Sequence, residues 1–89
     1  MLMVISSRLD CRGLYDPWPI FLIKRTLDRM CHGDILEMVS DDPASEADMK
    51  AWAKLTGNNL LDYYCCDKVY RFYIQKQNVG ENHGRSRDC

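Results

Sequence analysis

The sequence predicts an α+β fold: a two-layer α/β sandwich in which two helices share one face of a mixed four-stranded sheet. Apolar residues recur at helical spacing in two segments and follow strand patterns in four others, in the order β-α-β-α-β-β. Two β-α units make the first two strands parallel, and a two-residue connection makes the last two antiparallel. Two helices cannot easily cover both faces of such a sheet, so both are expected on one face.

The first half of the chain predicts a strand over residues 3–9 and a helix that ends near Met30. Asp16 is expected to be the helix N-cap, with Pro17 at the first helical position, where its missing N–H costs nothing. The apolar stripe of this helix consists of Ile20, Ile23, Leu27 and Met30.

The second half predicts one more strand–helix unit and a hairpin. Its elements are a strand over residues 35–39, a helix that opens with the capping box Ser45-x-x-Asp48 and ends at Gly57, and strands over residues 59–66 and 69–76. Asp67 and Lys68 form the hairpin turn. Asp41 and Asp42 are expected to cap the second helix. They should lie with Asp16 at the carboxyl edge of the parallel strands.

Length and composition limit the classes of protein. The 89 residues allow one domain, placed at 1–77, with a polar tail over 78–89 that is expected to be disordered. A net charge of −1 gives no broad basic surface for nucleic acid. No apolar run could span a bilayer and no secretory signal is visible, so a cytoplasmic protein is expected. Its 5 cysteines lack metal-ligand spacing and are expected to be reduced thiols, with no metal and no cofactor.

Several short motifs occur in order between residues 3 and 76. They are Leu9-Asp10-x-x-Gly13-Leu14, Pro17-x-Pro19, Lys24-Arg25, Gly33-Asp34, Asp41-Asp42-Pro43-Ala44 and Tyr70-Arg71-Phe72 with Lys76. In this arrangement the chain resembles the TusA or SirA-like family of small sulfur carriers. The resemblance implies strand order 1-2-4-3 and sulfur transfer, as in the tRNA-thiolation relay, through a persulfide on the cysteine of a Cys-Pro-x-Pro motif. That cysteine aligns with Asp16.

An aspartate cannot form a persulfide, so the resemblance implies a sulfurtransferase-like fold without the family's nucleophile, and it leaves open whether the chain is an enzyme. The main hypothesis is a non-catalytic, partner-binding or regulatory member. Its expected binding residues are Pro17, Trp18, Pro19, Lys24, Arg25, Asp41 and Asp42. Trp18 is either an exposed docking anchor or packed over Pro43. The implied partners are a cysteine desulfurase, a downstream sulfur acceptor or an associated transporter.

Two alternatives remain at this point. In the first, the chain is an active sulfurtransferase that uses a relocated thiol, such as Cys11 or one of the hairpin cysteines Cys65 and Cys66. In the second, Asp16, Asp41 and Asp42 bind a divalent cation. A capping role for Asp41 and Asp42 is preferred over the cation site.

Overall fold

A computed structural model of the protein describes residues 3–77. Its elements are β1 (Ser7–Asp10), α1 (Trp18–Asp28), β2 (Ile35–Ser40), α2 (Ser45–Thr56), β3 (Asn59–Cys66) and β4 (Val69–Gln75). This confirms the predicted order. The domain boundary at 77 stays a prediction, and the tail predicted over 78–89 lies outside the described residues.

The four strands form one mixed sheet in the order β1-β2-β4-β3. β1 runs parallel to β2, and β4 runs antiparallel to both β2 and β3. β3 is therefore parallel to β1 and β2, so the carboxyl ends of all three meet at one edge of the sheet. The order 1-2-4-3 and the mixed sheet are confirmed as predicted.

One face of the sheet carries the core. In register, Leu9, Met38, Phe72 and Tyr63 form a row across all four strands. The side chains of α1 and α2 pack on this face, which confirms the two-layer arrangement. The buried cluster consists of Cys11, Ile23, Leu27, Met30, Leu36, Met38, Met49, Phe72 and Ile74.

Three predicted elements extend beyond the observed ones: the last strand by one residue, at Lys76, and β1 and α1 by more. β1 begins at Ser7 and not at residue 3, because its partner β2 begins at Ile35 and offers earlier residues little to pair with. α1 ends at Asp28, and the next two amides close a tighter turn: the Met30 N–H donates to the Leu27 carbonyl at 2.9 Å.

The predicted capping box of α2 is wrong. Ser45 is the first residue of the helix rather than its cap, which is Ala44, and no side chain caps the helix. The Ser45 Oγ is buried and has no hydrogen-bond partner among residues 3–77. Gly57 ends α2 at a φ of 81°, a left-handed conformation that favours glycine. This agrees with its predicted role.

The hairpin turn is confirmed. Asp67 and Lys68 connect β3 to β4 with φ angles of 54° and 66°, as a two-residue turn between right-twisted strands requires.

Among the residues that the structure describes, no helix has both the length and the apolar character needed to cross a membrane.

Candidate functional site

The loop between β1 and α1 is tied to the end of β2. The Cys11 N–H donates to the Val39 carbonyl at 2.7 Å, and the Gly13 N–H donates to Asp41 Oδ1 at 3.0 Å. Gly13 has a φ of 84°, a conformation that most side chains oppose. Asp41 therefore fixes this loop and does not cap α2, which corrects part of the capping prediction.

The start of α1 differs from the prediction, because Asp16 is not its N-cap. The helix begins at Trp18 with Pro17 as the cap, and no side chain caps it. A capping carboxylate needs the N–H of the second or third helical residue, and Pro19, in second place, has none. The Trp18 N–H already donates to the Tyr15 carbonyl at 3.0 Å. Of the second and third helical residues, only Ile20 has an N–H that a capping side chain could accept from, and no side chain does so.

Asp16 is exposed and faces a cleft between the two helix starts. The cleft is shallow and open to solvent, and its polar lining consists of Asp16, Ser40, Asp42, Ser45 and Asp48. Asp16 and Asp42 thus lie at the same edge of the sheet, as the parallel strands predicted. The cleft has an apolar floor that includes Met38 and Met49.

Asp42 shapes the chain between β2 and α2. Its Oδ1 accepts a hydrogen bond from the Ala44 N–H at 3.0 Å, and its own N–H donates to Ser40 Oγ at 3.1 Å. Asp42 therefore supports the turn that precedes the helix instead of capping the helix itself.

Within residues 3–77 no three metal-ligating side chains come together, so the cation alternative gains no support.

Exposed aromatic rings surround the tip of α1. Tyr15, Trp18 and Phe21 are 60%, 59% and 54% exposed. The Trp18 and Phe21 rings meet edge to face with their centroids 5.8 Å apart. We call these three side chains the aromatic tip. Contiguous exposed apolar side chains, such as the paired Trp18 and Phe21 rings, mark interaction sites on protein surfaces.

Trp18 is exposed, as the docking interpretation expected. Phe21 was not among the predicted binding residues. Its spacing of three from Trp18, off the apolar stripe of α1, was the available signal. Lys24 and Arg25 are exposed and lie further along α1, after the aromatic tip. Lys24 forms a surface ion pair with Asp28 at 3.3 Å.

The cysteines differ sharply in exposure. Cys11 is fully buried, and this desolvation, with a smaller contribution from the charge of Asp10, raises the pKa of its thiol to about 11. Cys65 and Cys66 are free and exposed near the hairpin turn. Cys31 is disulfide-bonded, so the expectation of a free thiol is wrong there. A disulfide depends on proximity in the fold, which cysteine spacing alone does not reveal.

The burial of Cys11 predicts selective alkylation. In the folded chain at pH 8, iodoacetamide should label Cys65 and Cys66 while Cys11 stays unlabelled, because a thiol with a pKa of about 11 has only about a thousandth of its population as thiolate. In denaturant all three should react. Mass spectrometry of the peptides measures each site. Labelling of Cys11 in the folded chain as fast as Cys65 would contradict the buried position.

The fold and this site define a class: a two-layer α/β domain that presents the tip of its first helix at the carboxyl edge of its parallel strands. A family model described as "Sulfurtransferase TusA" matches residues 7–76. The chain belongs to this TusA family of sulfur carriers. The resemblance that its motifs indicated is therefore confirmed at the level of the family.

Several relatives support this assignment. The chain is 40% identical over 71 residues to the sulfur carrier protein TusA of Allochromatium vinosum, covering 80% of this chain and 93% of the relative. It is 35% identical over 70 residues to a putative sulfur carrier protein of Archaeoglobus fulgidus, covering 78% and 91%. A solved SirA-like protein from Desulfitobacterium hafniense superposes with a TM-score of 0.72 at 20% identity, over 81% of this chain and 99% of that one. This structural likeness shows the fold alone.

Proposed function

We propose that this chain is a non-catalytic member of the TusA family, which docks on proteins of a sulfur relay without carrying sulfur itself. The observation that carries the proposal is a carboxylate at the exposed tip of α1. In the family resemblance, Asp16 occupies the place of the persulfide-forming cysteine. A carboxylate has no sulfur atom to exchange, so the tip keeps its exposure and its shape but loses the transfer chemistry.

The free thiols of residues 3–77 differ in their ability to replace that cysteine. Cys11 is nearest in sequence, but it is buried and its raised pKa opposes the thiolate that attacks a persulfide. Cys65 and Cys66 are exposed, and they lie at the end of β3. The β3 end shares the carboxyl edge with Asp16, so these hairpin thiols are the remaining route to an active sulfurtransferase.

The aromatic tip supports a docking role. Large rings that keep most of their surface in water gain free energy when a partner covers them, and tryptophan is enriched among the residues that dominate binding. Trp18 and Phe21 project from the first turn of α1, next to Asp16 in the chain. A partner that approaches the tip to exchange sulfur in other members would here contact the rings and the carboxylate.

A sulfur-loading assay tests the absence of carrier activity. The reduced chain is incubated with a cysteine desulfurase and cysteine, and intact mass spectrometry looks for the addition of a sulfur atom. The Allochromatium vinosum relative, treated in parallel, shows that the desulfurase is active. We expect no adduct on this chain. An adduct that disappears in Cys65→Ser or Cys66→Ser would overturn the non-catalytic proposal.

A competition assay tests docking separately. Adding this chain in excess should slow sulfur loading of the relative, because both are expected to use the same surface of the desulfurase. Trp18→Ala should weaken this inhibition by about tenfold or more. Tyr64→Ala, which removes a 48% exposed ring from the other face of the sheet, is the matched control and should leave it unchanged. Absence of inhibition by the native chain, or equal inhibition by Trp18→Ala, contradicts docking through the aromatic tip.

A further inference from the structure

The face of the sheet opposite the helices carries an ordered set of charged side chains. Side chains alternate along a strand, so the neighbours of the core row point to this open face. The strand register places Arg8 beside Glu37 and Glu37 beside Tyr73. The next residue of β2 on this face is Val39, which lies beside Arg71. These residues belong to neither the aromatic tip nor the cleft at Asp16.

The charged residues surround a basin with about 650 Å³ of open space. Its lining includes Arg8, Asp10, Arg12, Glu37, Val39 and Arg71. Val39 is only 8% exposed although no helix covers this face. The basin therefore has an apolar floor and a charged rim. An apolar floor with a few convergent polar groups is typical of small-molecule sites.

Both carboxylates of the basin are already engaged. Asp10 accepts hydrogen bonds from two nitrogens of the Arg12 guanidinium, with shortest distances of 3.0 Å from Nε and 2.8 Å from the terminal nitrogen. Glu37, whose side chain is 13% exposed, accepts from Arg8 Nε at 2.9 Å and from the Tyr73 hydroxyl at 2.7 Å. Two of the three guanidinium groups are thus matched by hydrogen-bonded carboxylates.

Arg71 is the unmatched cation. Its guanidinium lies 3.9 Å from Glu37 Oε2, which is an ion-pair distance too long for a hydrogen bond, and it donates no hydrogen bond within residues 3–77. Its side chain is 38% exposed, so its donors are accessible from the basin. A guanidinium presents five N–H donors in a planar fork that fits the paired oxygens of a carboxylate or phosphate.

We propose that the open face of the sheet contains an oxyanion site centred on Arg71, which binds the carboxylate or phosphate group of a small molecule. Three guanidinium groups and two carboxylates line the basin, and Asp41 adds a negative charge near Arg12. Arg71 is the guanidinium of the lining that has no hydrogen-bonded carboxylate, so its donors are left for an added oxyanion. Arg8 and Arg12 stand at the rim of the basin and can each share a remaining donor. The site does not depend on the proposed docking function, because it lies on the other face of the sheet.

An NMR titration of the ¹⁵N-labelled chain tests this site. Sodium phosphate and sodium acetate are added in separate arms, with sodium chloride at the same ionic strength as the reference. We expect saturable shifts of the Glu37, Val39 and Arg71 amides in at least one arm, and the arm with tighter binding identifies the source of the oxyanion. Shifts that match those in sodium chloride would overturn the proposal.

Two substitutions should change the affinity in opposite directions. Arg71→Gln should weaken binding by about tenfold or more, since a charge-assisted pair is lost. Glu37→Gln should strengthen it, because the amide still accepts from Tyr73 but no longer competes for Arg71. Arg29→Gln, which removes an exposed arginine just after α1, is the matched control and should leave binding unchanged.

The opposite signs separate ligand binding from a structural role. Damage to the fold by either substitution would lower affinity and collapse the dispersion of the spectrum. If Arg71→Gln fails to fold, the increase expected in Glu37→Gln still decides the matter. Equal affinity of the native chain and Glu37→Gln, or a decrease in a well-folded Glu37→Gln, contradicts a site centred on Arg71.

Discussion

Asp16→Cys should change the chain from one that gains no sulfur into one that gains a single sulfur from a cysteine desulfurase. The position is exposed at the tip of α1 and opens into the cleft, so a thiolate there can reach a persulfide on a partner. The thiolate attacks the terminal sulfur of that persulfide, a new S–S bond forms, and the desulfurase leaves as a thiolate. The transfer needs no external oxidant.

The cleft also sets the expected pH dependence of this gained activity. Asp42 and Asp48 line the same cleft, and neighbouring negative charges raise the pKa of a thiol. Sulfur loading of Asp16→Cys should therefore increase as the pH rises through the pKa of the new thiol. Adding Asp42→Asn should move this increase to lower pH. Intact mass spectrometry over a pH series measures both effects.

Asp16→Ser is the matched control, because serine has nearly the shape of cysteine without the sulfur. This variant should gain no sulfur atom in the same assay. No adduct on Asp16→Cys while the Allochromatium vinosum relative loads normally would show that position 16 is not equivalent to the family's nucleophile. A sulfur adduct on native chain and variant alike would instead point to a hairpin thiol.

Local patterns predicted the elements well, because each depends on a few neighbouring residues. The β3–β4 hairpin needed only two apolar strands and the short connection Asp67-Lys68. The irregular register between Leu60 and Asp62 was not predicted, because the sequence there shows no glycine or proline that would mark a bulge.

The capping predictions failed for a reason visible only in the exact start of each helix. Asp16 and Ser45 are good capping residue types, but each helix begins about one residue away from the position that such a role requires. Helix boundaries depend on tertiary contacts, such as the hydrogen bond from Gly13 to Asp41 that holds the first loop. Residue type alone could not predict the residue at which each helix begins.

The charged basin was beyond sequence reasoning for a different reason. Arg8, Glu37 and Arg71 are far apart in the chain, and only the order of the strands brings them together. The family resemblance implied that order but not the geometry of the side chains. Long-range polar clusters of this kind require the sheet to be known before they can be recognised.

Phe72→Ala should produce the largest loss of stability from any single truncation of the core. Phe72 is completely buried on β4, and its ring is stacked between Tyr63 and Tyr70 at centroid distances of 6.0 and 6.3 Å. Removing a buried phenylalanine ring costs about 3–5 kcal/mol, from lost transfer free energy and the cavity left behind. A domain of this size is stable by only about 5–15 kcal/mol, so the variant should lose a large share of its stability.

The chain contains 2 phenylalanines, which provides a matched control. Phe21→Ala makes the same chemical change at a position that is 54% exposed on α1, where alanine is also the better helix former. It should change the free energy of unfolding by less than about 1 kcal/mol. Urea denaturation followed by circular dichroism measures both variants. Equal destabilisation by the two substitutions would mean that the row of side chains centred on Phe72 is not the core that holds the helices on the sheet.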